Sequence, residues 1–200
     1  LVLLNCTAVD AQVPAVVPDE VNAGRDAAQV LLDAGHREGI YIVGEPAPHL
    51  FAGRERVAGI DAALRAAGVR LAGILDCEWW PAPAHAAVQE LLHSGRRPRA
   101  FICLNDRIAL GSYEALTEAG IRLPDDLSIV SFDDSFLAGW LRPALTSIAL
   151  PHADMGIPEW RDRARIERLN LQVLDWLAES ALAFCLDQEA IDIAAKPGLA

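Results

Sequence analysis

The sequence predicts an α/β fold in which a parallel sheet is covered by helices on both faces. Apolar runs with strand composition alternate along the chain with helix-patterned segments of about 10–15 residues, an order typical of βαβ units. The runs AFICL and LSIVSF are almost entirely apolar, as expected for strands that are buried on both sides. Glycine closes several helical segments, for example at Gly68 and Gly120.

Strand-like composition marks a series of short segments, each bounded by polar residues, glycine or proline. Ile40–Val43 is the clearest, because it combines β-branched residues with an aromatic one. The predicted strands are Leu1–Leu4, Ala15–Val17, Ile40–Val43, Leu71–Leu75, Ala100–Leu104 and Leu127–Phe132, followed by the extended segment Leu145–Leu150.

Helical periodicity marks the segments between these strands. In one of them Val57, Ile60 and Leu64 fall on a single face. Asp106 is predicted to cap the helix that follows Ala100–Leu104, and the prolines of WWPAPAH (79–85) predict a loop there. The predicted helices are Val21–Ala34, Arg54–Ala67, Ala84–Leu92, Arg107–Ala119 and Glu159 to about Phe184, where Pro158 suits the first turn.

The bulk composition fits a folded domain and argues against several classes of protein. Of the 200 residues, 52% are hydrophobic and 22% are charged, which is unlike a disordered chain. The net charge is −11, whereas a duplex-binding surface normally carries a basic patch, so this chain itself is not expected to bind DNA. Apolar runs stay short of the roughly 18 residues that a membrane span needs, and neither a membrane partner nor a signal peptide is predicted.

The four cysteines show neither CxxC spacing nor any pairing pattern. This indicates a reducing compartment, and the cytoplasm is the predicted location. The five histidines are too scattered for a zinc site, and no metal or other cofactor is predicted. The chain opens with Leu1 inside an apolar run, so we expect preceding strands to be missing.

Polar residues follow two neighbouring predicted strands at the point where each strand ends. Asn105 and Asp106 follow Ala100–Leu104, and Asp133 and Asp134 follow Leu127–Phe132. Ligands of open parallel sheets bind outside the carboxyl ends of the strands. A carboxylate can accept two hydroxyl hydrogen bonds side by side, so these tips suit a small polyhydroxylated molecule. The alternative is that these residues only cap helices and form turns.

Side chains near other strand ends are further candidates, each with a structural alternative. Trp79 and Trp80 either pack flat on the apolar face of a sugar ring or bury in the core or an interface. Arg54 and Arg56 either donate a bidentate fork to ligand oxygens or form surface ion pairs with Glu55 or another neighbour.

Two more candidates precede predicted helices. Phe51 either packs on a ligand or serves as a hydrophobic staple, and Asp19 either caps Val21–Ala34 or reaches the ligand. The sequence holds no GxSxG elbow, P-loop, GxGxxG fingerprint or HExxH motif. Adjacent carboxylates such as Asp133 and Asp134 could suggest a glycosidase, but neighbours on one turn rarely flank a scissile bond. No catalytic residue is predicted.

Three segments resemble the effector-binding domain of the lactose-repressor/galactose-repressor (LacI/GalR) family of bacterial transcription regulators. They are VPAVVPDEVNAGRDAAQVLLDAGHREGIYIVG, GRERVAGIDAALRAAG and PRAFICLNDRIALGSYEALTEAGIRLPDDLSIVSFDDSFLAGWLRPALTSI, and the resemblance runs from about Leu1 to Gly156. In the last segment the Asn-Asp, Ala-Leu-Gly, Gly-Ile-x-x-Pro-x-Asp and Phe-Asp-Asp elements fall in the family's order and spacing.

The resemblance implies a periplasmic-binding-protein-like fold of two α/β lobes with a small molecule bound between them. Residues 1–35 and 150–200 would form a truncated first lobe, and residues 36–149 the second. The family's DNA-binding head and first strands are absent from this sequence. The tail after Gly156 also departs from the family, which usually continues with a helix and a final strand ending in an Arg-Ser-like motif.

Motif positions in the family also imply roles for individual residues. Asp19 would face the cleft from the first lobe, and Arg56, Asn105 and Asp133 would face it from the second. Trp79 or Trp80 matches the position where family members often stack an aromatic ring on a sugar. Family members are dimers, in which ligand binding changes the lobe angle and the change passes to N-terminal helix-turn-helix heads.

The predicted function is therefore that of a sensing domain of a LacI-type regulator, without enzymatic turnover. Its predicted partners are a sugar or polyol effector, a second copy of the chain, and operator DNA reached only through a head not present in this sequence. Two alternatives stay open, namely a periplasmic sugar-binding protein of a transporter and a sugar-processing α/β enzyme.

Overall fold

The computed structural model describes residues 3–4, 14–46 and 50–151. The chain divides into two compact units, one of residues 1–16 with 151–200 and the other Val17–Leu150. In the smaller unit, the described strands β1 (Leu3–Leu4) and β2 (Ala15–Val16) pair in parallel. The predicted C-terminal helix that starts at Glu159 lies outside the described residues.

The larger unit is built on a five-stranded sheet in which every neighbouring pair is parallel. The strands lie in the order β4-β3-β5-β6-β7. All residues of β3 and β5 are buried, which explains why their sequences are continuously apolar rather than alternating. The bounds are β3 Ile40–Val43, β4 Gly73–Leu75, β5 Ala100–Cys103, β6 Ser128–Phe132 and β7 Thr146–Ile148.

Helices connect these strands and cover the sheet. Right-handed crossovers place the helix after β3 and the helix after β4 on opposite faces, because the chain moves across the sheet in opposite directions at these two steps. The first two helices of the unit pack against each other, and so do the next two. The bounds are α1 Glu20–Asp33, α2 Phe51–Ala66, α3 Pro81–His93, α4 Asp106–Glu118 and α5 Phe136–Trp140. This arrangement confirms the predicted α/β class.

The strand order contains a topological switch point between β3 and β5. From β3 the chain first adds β4 on one side and then crosses back to add β5 on the other. In sheets of this kind the connections on the two sides of the switch point diverge and leave a crevice at the carboxyl ends of the strands. The polar tips of β5 and β6 lie at that end of the sheet.

Several local predictions were wrong for identifiable reasons. The proline-rich stretch 79–85 is not a loop, since α3 begins at Pro81, where the first turn needs no proline N–H. The α2 helix begins three residues before Arg54, at Phe51, and α5 was not predicted at all. The cap of α4 is Asn105 rather than Asp106. The two compact units divide after Val16, because α1 packs on α2; the division into a first lobe of residues 1–35 and 150–200 and a second lobe of residues 36–149 stays a prediction.

Candidate ligand-binding site

Four of the predicted site residues lie together at the carboxyl ends of β5 and β6. The Arg56 guanidinium donates to the carbonyl of Leu104, next to Asn105, and its Nη2 lies 3.7 Å from Asp133 Oδ1. It also lies 5.9 Å from the ring centroid of Trp79. The Asn105 amide Nδ2 donates to the Trp79 carbonyl at 3.5 Å, a long hydrogen bond. Residues from three separate segments therefore meet around one arginine.

Arg56 forms a buried ion pair, whereas the alternative prediction was a surface ion pair. Its Nε donates to Glu20 Oε2 at 2.6 Å and its Nη2 donates to Glu20 Oε1 at 3.1 Å. The two side chains are only 4% and 1% exposed. The Phe132 ring lies 4.7 Å from the guanidinium carbon and adds a cation–π contact. The adjacent Arg54 does form a surface pair, with Glu55.

Glu20 was not predicted as a site residue, and two glycines bring it to Arg56. A Cβ on Gly24 would lie 2.2 Å from the backbone oxygen of Arg56, and one on Gly59 would lie 2.0 Å from that of Val21. These contacts show that α1 and α2 cross closely enough for the Glu20 side chain to span the gap. Glycine within a helix costs about 1 kcal/mol relative to alanine, so its presence in both helices was the available signal of a close crossing.

Asn105 has two protein partners in addition to its predicted role toward a ligand. Its Oδ1 accepts the backbone N–H of Ile108 at 2.7 Å, so it is the N-cap of α4. Its Nδ2 is directed to Trp79, as described above. Asn105 therefore has the capping role that was predicted for Asp106, and a ligand contact through the same amide stays a prediction.

The buried side chain of Asp106 forms a part-buried hydrogen-bond network that supports the turn after β6. Its Oδ2 accepts both the backbone N–H and the hydroxyl of Ser135, each at 2.8 Å, and its Oδ1 accepts the hydroxyl of Ser147 at 2.7 Å. The Ser147 hydroxyl in turn accepts the N–H of Asp134 at 2.9 Å. Both carboxylate oxygens are thus used within the protein, and the segment that carries Asp133 is held in one position.

The turn at the tip of β6 has an unusual backbone. Asp133 has φ 96° and Asp134 has φ 45°, in the left-handed region that few residues other than glycine adopt. Non-glycine residues held there cost on the order of 1–3 kcal/mol and cluster at functional sites. The Asp133 side chain is 33% exposed, so its carboxylate reaches the protein surface beside the buried arginine.

The remaining predicted residues contact other partners. Asp19 is the N-cap of α1 through a hydrogen bond from the Asn22 N–H at 3.1 Å. It belongs to the larger unit, and the expectation that it faces the ligand cleft stays a prediction. Phe51 lies under the Arg54 guanidinium at 5.7 Å, and Trp80 lies under that of Arg107 at 4.3 Å.

The orientation of Trp79 favours packing as its first role. Its ring contacts α2, where its Cζ2 atom would be 3.2 Å from a Cβ on Gly53. Its indole N–H is buried and has no acceptor among the described residues. The prediction that this ring supports a sugar stays a prediction.

The two cysteines in the described part of the chain, Cys77 and Cys103, are free thiols. Cys103 lies in β5 within 3.6 Å of the Ser112 hydroxyl, and burial raises the pKa of its thiol to about 12. Burial, followed by the nearby carboxylates of Asp76, Glu45 and Glu78, raises the pKa of Cys77 to about 11. Neither thiol is activated as a nucleophile, which needs a lowered pKa.

Residues 3–4, 14–46 and 50–151 contain neither a metal-binding cluster nor a helix suited to a membrane. These residues contain no group of three or more His, Cys, Asp and Glu side chains arranged to hold a metal ion. None of the helices in this range combines the length and the apolar character that crossing a bilayer requires.

Known proteins resemble both the sequence and the fold. Catabolite control protein A of Priestia megaterium is 33% identical over 150 residues, which is 72% of this chain and 44% of that protein. This chain therefore spans less than half the length of that relative.

Two solved structures of LacI-family regulators have the same fold. The regulator from Enterococcus faecium, with bound ribose, has a TM-score of 0.70 at 27% identity and is matched over 82% of this chain and 62% of its own. A sugar-binding regulator from Escherichia coli, complexed with phosphate, has a TM-score of 0.69 at 30% identity over 76% of this chain and 55% of its own.

A family model covers most of the chain. Residues 28–158 match the periplasmic binding protein-like domain. This segment includes β3 to β7 and therefore the strand tips at which Arg56, Asn105 and Asp133 meet. The chain belongs to the periplasmic-binding-protein-like domain family, in the form that LacI-family transcriptional regulators carry as their effector-binding domain.

Proposed function

We propose that this protein is the sensing part of a bacterial transcription regulator and that it binds a sugar or a similar small polyol at the tips of β5 and β6. The regulator class is supported by the relatives, which are LacI-family regulators rather than transport proteins or enzymes. A sugar is supported by the ribose in the Enterococcus faecium structure and by the hydrogen-bonding groups described above.

The observation that carries this proposal is the position of Asp133. Its carboxylate is partly exposed, lies beside Arg56, and sits on a turn that the hydrogen bonds of Asp106 hold in place. A carboxylate fixed in this way can accept two hydroxyl hydrogen bonds without first losing conformational freedom. Holding Asp133 in this position costs conformational free energy, because its backbone lies in the left-handed region.

The other partners follow from the regulator class. We assign operator contact to a DNA-binding head outside these 200 residues, and we expect a homodimer that works in the cytoplasm, where operator DNA is located. The ligand acts on operator binding only through different affinities for two states of the protein. No turnover of the ligand is expected.

The test begins with a thermal-shift screen of the protein against sugars and nucleosides, because a ligand of the native state raises its melting temperature. Calorimetry on each hit then compares the wild type with Asp133→Ala and Asn105→Asp. Asp133→Ala is expected to weaken binding by about 1–3 kcal/mol, roughly 5- to 150-fold, because it leaves ligand hydroxyls unpaired. Asn105→Asp keeps the acceptor that caps α4 and removes the amide donor, from the Trp79 carbonyl as well as from the ligand, so it tests the amide apart from the cap.

The matched control is Asp125→Ala, which removes an exposed carboxylate from the opposite end of the sheet and should leave affinity unchanged. Unchanged affinity in Asp133→Ala would refute the assignment of the site. Turnover of a bound sugar would instead favour the enzyme class.

A further inference from the structure

We propose that a second copy of this chain docks on the exposed side of α5, with the two α5 helices antiparallel across a two-fold axis. The exposed side is formed by Phe136 and Trp140 and is called the aromatic face below. The inference rests on the proposed function, which expects a homodimer, and it names the surface through which the two copies meet.

The aromatic face contains the two most exposed large apolar side chains of the described residues, with Phe136 at 73% and Trp140 at 79%. The two residues are four apart in α5 and therefore lie on one side of the helix. Ala138, between them in sequence, is buried, and its carbonyl accepts the N–H of Leu145. The helix thus packs on the unit with one side and presents two aromatic rings on the other. Contiguous exposed apolar groups, unlike single ones, mark interaction sites.

Hydrogen bonds at both ends of α5 hold the aromatic face in one orientation. At the start, the hydroxyl of the N-cap Ser135 donates to Asp106 Oδ2 at 2.8 Å. At the end, Arg142 Nη1 donates to the carbonyls of Gly139 and Leu141, each at 2.8 Å. A face that is already ordered loses less conformational freedom when a partner docks on it.

The distribution of charge around α5 favours a second copy as the occupant. The chain carries a net charge of −11, so two copies repel each other wherever acidic surfaces meet, whereas α5 itself, FLAGW, brings no charge. Asp134 precedes α5 and Arg142 follows it; both are exposed, and neither forms an ion pair with another described residue. A two-fold axis through the middle of α5 places Asp134 of each copy beside Arg142 of the other, and Phe136 beside Trp140.

The area of the aromatic face is a substantial part of what a dimer needs. A buried aromatic side chain contributes about 150–250 Å², and a stable interface buries about 800 Å² per partner. Phe136 and Trp140 therefore supply about half of this area, and the partly exposed Leu137 and Leu141 extend the face. Aromatic anchors at the centre with charged groups at the rim are the usual organisation of an energetically important interface.

The first experiment measures the monomer–dimer equilibrium of the 200-residue chain by sedimentation velocity at about 1–100 µM protein, where the wild type should dimerise. Trp140→Ala should weaken dimerisation by about 30-fold or more, because a tryptophan at the centre of an interface carries a large share of the binding energy. Ile74→Ala is the matched control, since it removes an exposed apolar side chain from β4 at the edge of the sheet. It should leave the equilibrium unchanged.

The second experiment uses charge reversal to identify the occupant. Asp134→Lys and Arg142→Asp each place like charges at both ends of the proposed contact, and each should weaken dimerisation by about tenfold or more. In an equimolar mixture of these two variants, opposite charges meet again at both ends of the contact. The mixture should therefore dimerise as the wild type does. Only a second copy in the antiparallel arrangement produces this recovery.

Each outcome supports or overturns the inference separately from the proposed function. A wild type that stays monomeric at about 100 µM would overturn it, and so would a dimer that Trp140→Ala leaves intact. A mixture that does not recover would overturn the antiparallel arrangement. Sugar binding in the calorimetric screen would leave the sensing function in place in all three cases, while a dimer that binds no sugar would refute only that function. The wild type and Trp140→Ala decide the question if Asp134→Lys does not fold.

Discussion

The two ends of the parallel sheet both carry charged side chains, but they place them in different surroundings. At the carboxyl ends, Glu20, Arg56 and Asp106 are buried, and each is hydrogen-bonded to a partner far away in sequence. At the amino ends, a crevice of about 400 Å³ is lined by exposed groups such as Arg37 and Asp125. The neighbouring ion pair of Arg122 with Asp126 joins residues four apart, and both side chains are solvent-exposed.

This difference shows where charge can control function. An exposed ion pair gains little stability, because water and salt screen it and its side chains lose entropy. A buried pair has already lost its water, so removing one partner leaves an uncompensated charge. At the carboxyl ends a single substitution can therefore change both the stability of the fold and the properties of the ligand site.

Arg56→Met should give the largest effect. It leaves the Glu20 carboxylate buried without its cation, and we expect a loss of about 3–5 kcal/mol in the free energy of unfolding. The double variant Glu20→Met/Arg56→Met should recover most of this loss, because an apolar pair of similar volume replaces both charges. Urea unfolding gives the free energy of unfolding of the wild type, the single variant and the double variant.

The control for this prediction is Arg65→Met, which breaks the exposed pair with Asp61 and should change stability by about 0–1 kcal/mol. The prediction that burial makes the Glu20–Arg56 pair costly to break would be contradicted if Arg56→Met changed stability no more than this control. It would also be contradicted if the double variant were as unstable as Arg56→Met.

Asp106→Asn should have an intermediate effect. The substitution keeps the size of the side chain but replaces one acceptor with an NH₂ group, which then faces a donor of Ser135 or of Ser147. We expect a loss of about 1–3 kcal/mol in the free energy of unfolding, because a part-buried donor loses its charged acceptor. Ligand affinity should also fall, since the turn that carries Asp133 loses its support. Asp125→Asn is the matched change at the opposite end of the sheet, and an equal loss in both variants would contradict the comparison.

The fold could be predicted from the sequence because its signals are local. Continuous apolar runs mark β3 and β5 as buried strands, and glycines mark the ends of the helices. Errors occurred where two local signals compete. The prolines in 79–85 suggested a loop, yet Pro81 is the first residue of α3. The short helix α5 has too few residues to show any periodicity.

The site could be predicted only in part, because its main pairing is not local. The positions of Asp133 and Asn105 could be predicted from the sequence, since parallel strands place their tips at one edge of the sheet. The position of Glu20 could not, because a glutamate in the first turn of a helix has an ordinary role near the helix dipole. Its burial depends on how closely α1 approaches α2. Gly24 and Gly59, which lie far apart in the sequence, allow this close approach. The roles of Asn105 as a cap and Asp106 as a support depend on side-chain direction, which spacing does not specify.

The smallest expected effect is at the amino end of the sheet, where His36 tests whether the crevice responds to pH. Burial, and then the charge of Arg99, lower the pKa of His36 below its usual 6.5, and its Nε2 lies 2.9 Å from the Ser128 hydroxyl. The unfolded chain then takes up the proton first as pH falls, so the contribution of His36 to stability is complete above about 6.5 and is lost as pH falls through the lower folded pKa. Unfolding curves from pH 7.5 to 5 should therefore show the wild type losing stability relative to His36→Gln. NMR titration should place the His36 midpoint below 6.5, and Arg99→Gln should raise it. A midpoint at or above 6.5 would mean that this crevice does not penalise the charged imidazole.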